Sequence, residues 1–133
     1  MKLNSVKLSS ALAILVGLMS VIVGIRVLTG AFVPGYTFHK SLVIYNSAAG
    51  IVSLICGILI WFKNEKSFLL SAVILSAHLS VLIVISTIYF DIIAKESIFA
   101  MIFRSVVWAV ISFIVKKNIA SSAMKKRHEN VTF

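Results

Sequence analysis

Asn46, His78 and Arg104 stand inside long apolar runs, and each brings a chemistry that those runs lack. An amide offers both a donor and an acceptor, an imidazole can take or hold a proton, and a guanidinium is a fixed cation with five N–H donors. Polar groups at such positions are expensive to bury, so each is a candidate site residue by default. Tyr45 precedes Asn46 and adds a hydroxyl. Trp108 follows Arg104 by four residues, which places both on one face of a helix. Arg26 and Glu96 complete the set of ionisable candidates.

Two readings of this set stand side by side. In the structural one, Arg104 pairs with Glu96 about two turns away, and Asn46 and His78 make interhelical hydrogen bonds worth about 0.6–2 kcal/mol each. In the other, Arg26 and Arg104 supply positive charge while Tyr45, Asn46 and His78 orient a ligand. Such a site suits an anionic, lipid-like or quinone-like molecule.

The elements that must position these residues are written in the composition. The chain has 133 residues, 60% of them hydrophobic and 13% charged, and its mean hydropathy is +1.08. A soluble domain is typically about 45–50% apolar and about 25% charged. Four apolar segments emerge, at about 8–29, 41–62, 67–90 and 97–115. Each approaches the roughly 20 residues needed to cross a hydrocarbon core of about 30 Å. Their hydrophobicity is continuous rather than alternating, which predicts helices and not barrel strands. The expectation is an all-α, antiparallel four-helix transmembrane bundle forming a single domain over 1–133, with a basic cytoplasmic tail at 116–133. The apolar run at the N-terminus is longer than a signal-peptide core and lacks a convincing cleavage site, so it reads as a retained helix.

Flanking charge predicts the orientation. Lys2 and Lys7 precede the first segment, Lys63 and Lys66 sit in the second connection, and Lys116, Lys117, Lys125, Lys126 and Arg127 follow the fourth. An even number of crossings brings these regions to one side, and an excess of Lys and Arg marks the cytoplasmic side. Both termini are therefore expected inside, in a bacterial inner membrane. Arg26, Tyr45, Asn46, Glu96 and Arg104 then fall in the outer half of the bilayer, with His78 just below and His39 and Asp91 on the rim. Arg104 lies roughly 12 Å from the outer end of its helix, at about 1.5 Å per residue.

Small residues recur at helical spacing on the first two segments. Gly17, Ser20 and Gly24 mark one face, and Gly50, Ser53 and Gly57 another. Such faces let helices approach closely. They are the expected packing surfaces, available either to a neighbouring helix or to a second copy or larger complex. The outer connection, GAFVPGYTFHK, joins helix breakers to Phe32, Tyr36 and Phe38. Aromatic rings prefer the membrane interface, so this loop is expected to lie at the mouth of the bundle.

Several chemistries are excluded. One cysteine, Cys56, permits neither an internal disulfide nor dithiol redox chemistry. A bis-histidine haem needs two deep histidines, and His78 alone is deep. No His, Cys and carboxylate cluster has metal-ligand spacing. Nucleic acid is not the expected partner, because most of the net charge of +9 flanks apolar runs. In size the chain resembles a four-helix multidrug antiporter, but that family depends on a glutamate in the first helix, and this first helix has no acidic residue.

In layout the run through the third helix resembles the DoxX-like group of small four-helix membrane proteins. The resemblance rests on Pro34-Gly35 in an aromatic outer loop, a second helix ending GILIWF, and a third helix with SAVILSAHLSVL. It implies a four-helix bundle with an accessory or redox-linked role. Where many members carry a glutamate early in the second helix, this sequence has Tyr45-Asn46-Ser47, so no charged site is carried over. The sequence thus predicts a non-enzymatic accessory membrane protein without a cofactor, partnered by the lipid bilayer and by a homo-oligomer or a larger membrane complex. A binding or transport protein is the alternative, and a subunit of a membrane redox system the third reading.

Overall fold

Long apolar runs without proline or a run of glycine leave the backbone one economical way to satisfy its N–H and C=O groups, which is to bond them along the chain. A computed structural model describes residues 2–132, with side chains from residue 5 onward. It is all-α, with four helices: α1 (Lys2–Leu28), α2 (Lys40–Trp61), α3 (Lys66–Thr87) and α4 (Lys95–Val131). Each is long and apolar enough to cross a membrane. Phe133, at the end of the basic segment, lies outside the described residues, as do the side chain of Lys2 and its flanking charge.

Helix ends depart from the apolar boundaries where polar residues continue the helix. The sequence places the fourth helix at 97–115, whereas α4 runs on to Val131. Residues 116–131 contain neither glycine nor proline, and lysine, alanine, methionine and arginine are all good helix formers. The same reasoning carries α1 back to Lys2. In the other direction, α3 stops at Thr87, before the expected end at residue 90.

Two left-handed residues close α1 and α2. Gly30, at φ 76°, turns the chain after α1, and the Gly30 and Phe32 amides donate to the Val27 and Arg26 carbonyls. Lys63, at φ 54°, occupies the corresponding place after α2. There the Lys63 amide donates to the Ile60 carbonyl and the Asn64 amide to Leu59, the paired bonds of a Schellman cap. Asn64 then accepts from the Lys66 amide at 2.9 Å, starting α3.

The helices pack in a ring: α1 on α2, α2 on α3, α3 on α4, and α4 back on α1. Val6, Ala13, Cys56, Ile60, Ile74, Trp108, Ile111 and Val115 form the apolar core. Most of these belong to the half of the bundle nearest the α2–α3 turn. Eight serines among the described residues are buried as well, Ser9, Ser10, Ser20, Ser53, Ser67, Ser71, Ser105 and Ser112, beside Val27, His78, Ile85 and Met101. The outside is apolar, with Leu15, Ile22, Ile55, Leu69, Phe99, Phe103 and Phe113 exposed. Water would penalise so large an apolar surface, and lipid would not.

The α1–α2 seam brings the small residues together. A Cβ on Gly17 would stand 2.7 Å from the Gly50 carbonyl, and one on Gly50 would stand 2.9 Å from both the Gly17 carbonyl and Ser20 Cβ. One on Gly57 would meet Ile14 at 2.6 Å. Gly24 faces Ser47 just as closely. The Ser10 hydroxyl donates to the Gly57 carbonyl across the seam at 2.7 Å. Ser53 is buried and donates to Ala49 within its own helix. These faces are therefore occupied inside the chain. Of the two uses expected for them, they meet a neighbouring helix.

Candidate functional site

Three helices converge on the polar residues of the other half. Tyr45 comes from the second turn of α2, His78 from the middle of α3 and Arg104 from α4. His78 is 2% exposed. Its Nδ1 and the Tyr45 hydroxyl are hydrogen-bonded at 2.9 Å, with the donor set by the imidazole tautomer. The two rings meet edge to face at 84°, with centroids 5.8 Å apart. This part-buried bond crosses between α2 and α3.

Arg104 is half-buried. Its charge acts on Tyr45 and His78 and also on Tyr36, in the connection before α2. Glu96 is exposed, and among the described residues it makes no ion pair with Arg104. The expected Arg104–Glu96 pairing is thus not formed: the two helical turns between them, with Glu96 turned to the surface, are too far for a contact. What surrounds the guanidinium is aromatic and hydroxylic rather than acidic.

Among the described residues three buried polar atoms lack a hydrogen-bond partner: Asn46 Oδ1, Trp108 Nε1 and Ser112 Oγ. Trp108 is fully buried one turn beyond Arg104, and Ser112 lies one turn further along α4. An orphaned buried donor or acceptor costs about 1–3 kcal/mol. Together these helices offer a cation, one acceptor, one indole donor and a hydroxyl that the fold itself leaves unused. The cation, the indole N–H and the hydroxyl can each hold an anion or a carbonyl, whereas the amide oxygen calls for a donor. Among the described residues no group of three His, Cys, Asp or Glu could hold a metal ion.

Arg26 is placed apart from this group. It is exposed at the end of α1, and its guanidinium stacks over the Phe32 ring with 5.9 Å to the centroid. A cation near a helix end finds the aromatic interface sooner than the bundle interior.

A groove of about 260 Å³ opens between α2, α3 and the α3–α4 connection, lined by His39, Ser41, Leu42, Tyr45, Val81, Val84, Ile85, Tyr89 and Ile93. Tyr45 alone belongs both to this groove and to the sequence-derived site. The His39 and Tyr89 rings flank it with centroids 6.2 Å apart. Neither was a predicted site residue. Their signal was available in the sequence only as two aromatic rings beside short connections, and their meeting depends on which helix ends adjoin.

A larger cleft of about 690 Å³ lies at the opposite end, between α1, the α2–α3 turn and the polar extension of α4. Trp61 marks this end too, with the Lys7 ammonium 5.4 Å above its ring. Sequence reasoning read the lysines here as orientation signals and gave them no site.

No protein-family model matches the chain, and neither a curated protein nor a solved structure matches it.

Proposed function

We propose that this chain is a small accessory protein of the membrane, spanning it four times, which holds an amphiphilic ligand rather than transforming one. The observation that carries this is the half-buried Arg104, set beside the Tyr45–His78 pair with no carboxylate on it. A guanidinium kept only for packing would be expected to carry a buried acid, because unpaired charge is the costly case. An anionic or carbonyl-bearing head at Arg104, carrying a hydroxyl or amide donor for Asn46 Oδ1, would satisfy what the fold leaves open. The adjoining groove would take an apolar tail along Leu42, Val81, Val84 and Ile85.

The arrangement in the bilayer is part of the same reading. Contacts pair Ser10 with Gly57, Gly17 with Gly50 and Gly24 with Ser47, so numbers rise along α1 as they fall along α2. Tyr45 with His78 and Cys56 with Ser67 do the same for α2 and α3. This supports an antiparallel bundle. The clusters around Lys7, Lys63, Lys66 and Lys116 gather at one end, leaving Arg26, Lys40, Lys95 and Arg104 toward the other, which supports both termini inside. The DoxX-like layout agrees with an accessory role, and a bacterial inner membrane is the setting this charge pattern suits.

The test is to purify the full chain in mild detergent, extract it for lipids and small molecules, and repeat with Arg104→Met and Asn46→Ala. A stoichiometric copurifying molecule that is lost in both variants is the expected result. A ligand-free wild type, with Arg104→Met less stable than wild type, would overturn the reading and return the cluster to a structural role.

A further inference from the structure

The larger cleft holds a feature that packing does not require. Its floor is apolar, from Val6, Ile60, Val115 and Ile119, and its rim carries Lys63 and Lys126 against a single acid, Glu65. Lys63 occupies the left-handed position of the Schellman cap, at φ 54°. Glycine takes that position without strain, whereas a residue with a Cβ pays for it. A strained residue points toward a use for its side chain. Lys66, Lys116, Lys117, Lys125 and Arg127 stand around the same end, so the field there is strongly positive. Val115 is the last apolar residue before Lys116, so the cleft straddles the boundary between the apolar and polar parts of α4.

We propose that this cleft binds one anionic phospholipid from the leaflet at this end, with its phosphate between Lys63 and Lys126 and an acyl chain against Ile60, Val115 and Ile119. An apolar floor below a cationic rim, at the level where the helix leaves the hydrocarbon, matches the two halves of such a lipid and neither a free phosphate nor a soluble acidic peptide. The overhang of α4 past Val115 forms the outer wall, which gives its helical extension a role. The site is separate from the Arg104 cluster and rests only on the membrane-spanning reading of the four helices.

The experiment is native mass spectrometry of the full-length protein, released from detergent with equimolar phosphatidylglycerol and phosphatidylcholine. One retained phosphatidylglycerol per chain is expected, preferred over phosphatidylcholine. Lys63→Gln and Lys126→Gln should each reduce that preference about fivefold. The paired control, Lys116→Gln with Lys117→Gln, removes twice the charge of either cleft variant, outside the cleft, and should still leave most of the preference. Lys63→Gly separates binding from folding, since it should raise the Tm while lowering the preference as Lys63→Gln does. The proposal is overturned if the paired control loses as much as the cleft variants, because the attraction is then diffuse. It is equally overturned if millimolar inorganic phosphate displaces the lipid, or if no preference exists.

Discussion

The α1–α2 seam and the Arg104 cluster spend polar atoms in opposite ways. In the seam, Gly17 and Gly50 approach backbone to backbone, and the buried Ser10 and Ser53 hydroxyls both find carbonyls. There is no room for a further atom. At Arg104, a guanidinium lies beside a tyrosine–histidine pair without an acid, and on the same helices Asn46 Oδ1 and Trp108 Nε1 have no partner. Close packing with every polar group satisfied is what stability alone would produce. Cations and orphaned acceptors are what a ligand would complete.

Substitutions can break this contrast or sharpen it. The largest effect belongs to the seam. Gly17→Leu or Gly57→Leu should cost about 3 kcal/mol or prevent folding, since the added atoms meet backbone or a packed isoleucine. Detergent-solubilised thermal unfolding measures this, and a loss under about 0.5 kcal/mol would mean that the seam is not closely packed. Next comes Arg104→Met, with the opposite sign. Removing a half-buried charge that has no carboxylate should raise ligand-free stability by about 1–3 kcal/mol. A comparable loss would show that the guanidinium holds the bundle together. Tyr45→Phe removes the bond to His78 and should cost about 1 kcal/mol, because the imidazole keeps its burial without its partner. The smallest effect is Ser10→Ala, at about 0.6 kcal/mol, the typical worth of one interhelical bond in a membrane protein. A double-mutant cycle of Ser10→Ala with Tyr45→Phe should be additive, since the two bonds lie at opposite ends of α2.

Much of the fold was legible because it depends on local properties. Apolar length gave four helices, and the Gly17/Ser20/Gly24 and Gly50/Ser53/Gly57 spacings marked the faces that meet in the seam. What the spacings did not carry was ownership: the same small-residue face serves an intramolecular neighbour or a partner, and only the register of α1 on α2 decides. The end of α4 was legible in hydropathy but not in helicity, because Lys116 and Lys117 stop an apolar run without stopping a helix. Of the site, Tyr45, His78 and Arg104 come together as their shared depth suggested. Glu96 and Arg26 do not. Glu96 lies two turns from Arg104 and is exposed, and Arg26 stacks on Phe32. His39 was legible only as a polar residue of the outer rim, and its meeting with Tyr89 was not, because a groove between helix ends is a property of tertiary packing with no spacing in the chain to announce it.

The arrangement in the bilayer underlies every other part of this account, and site-directed labelling tests it most directly. Single cysteines at Lys40, Asn64, Lys95 and Glu129, each in a Cys56→Ala background, would be exposed to a membrane-impermeant maleimide in intact cells. Lys40→Cys and Lys95→Cys should label at once, whereas Asn64→Cys and Glu129→Cys should label only after the membrane is permeabilised. Labelling of Asn64→Cys or Glu129→Cys in intact cells, or protection of Lys40→Cys together with Lys95→Cys, would contradict four spans with both termini inside.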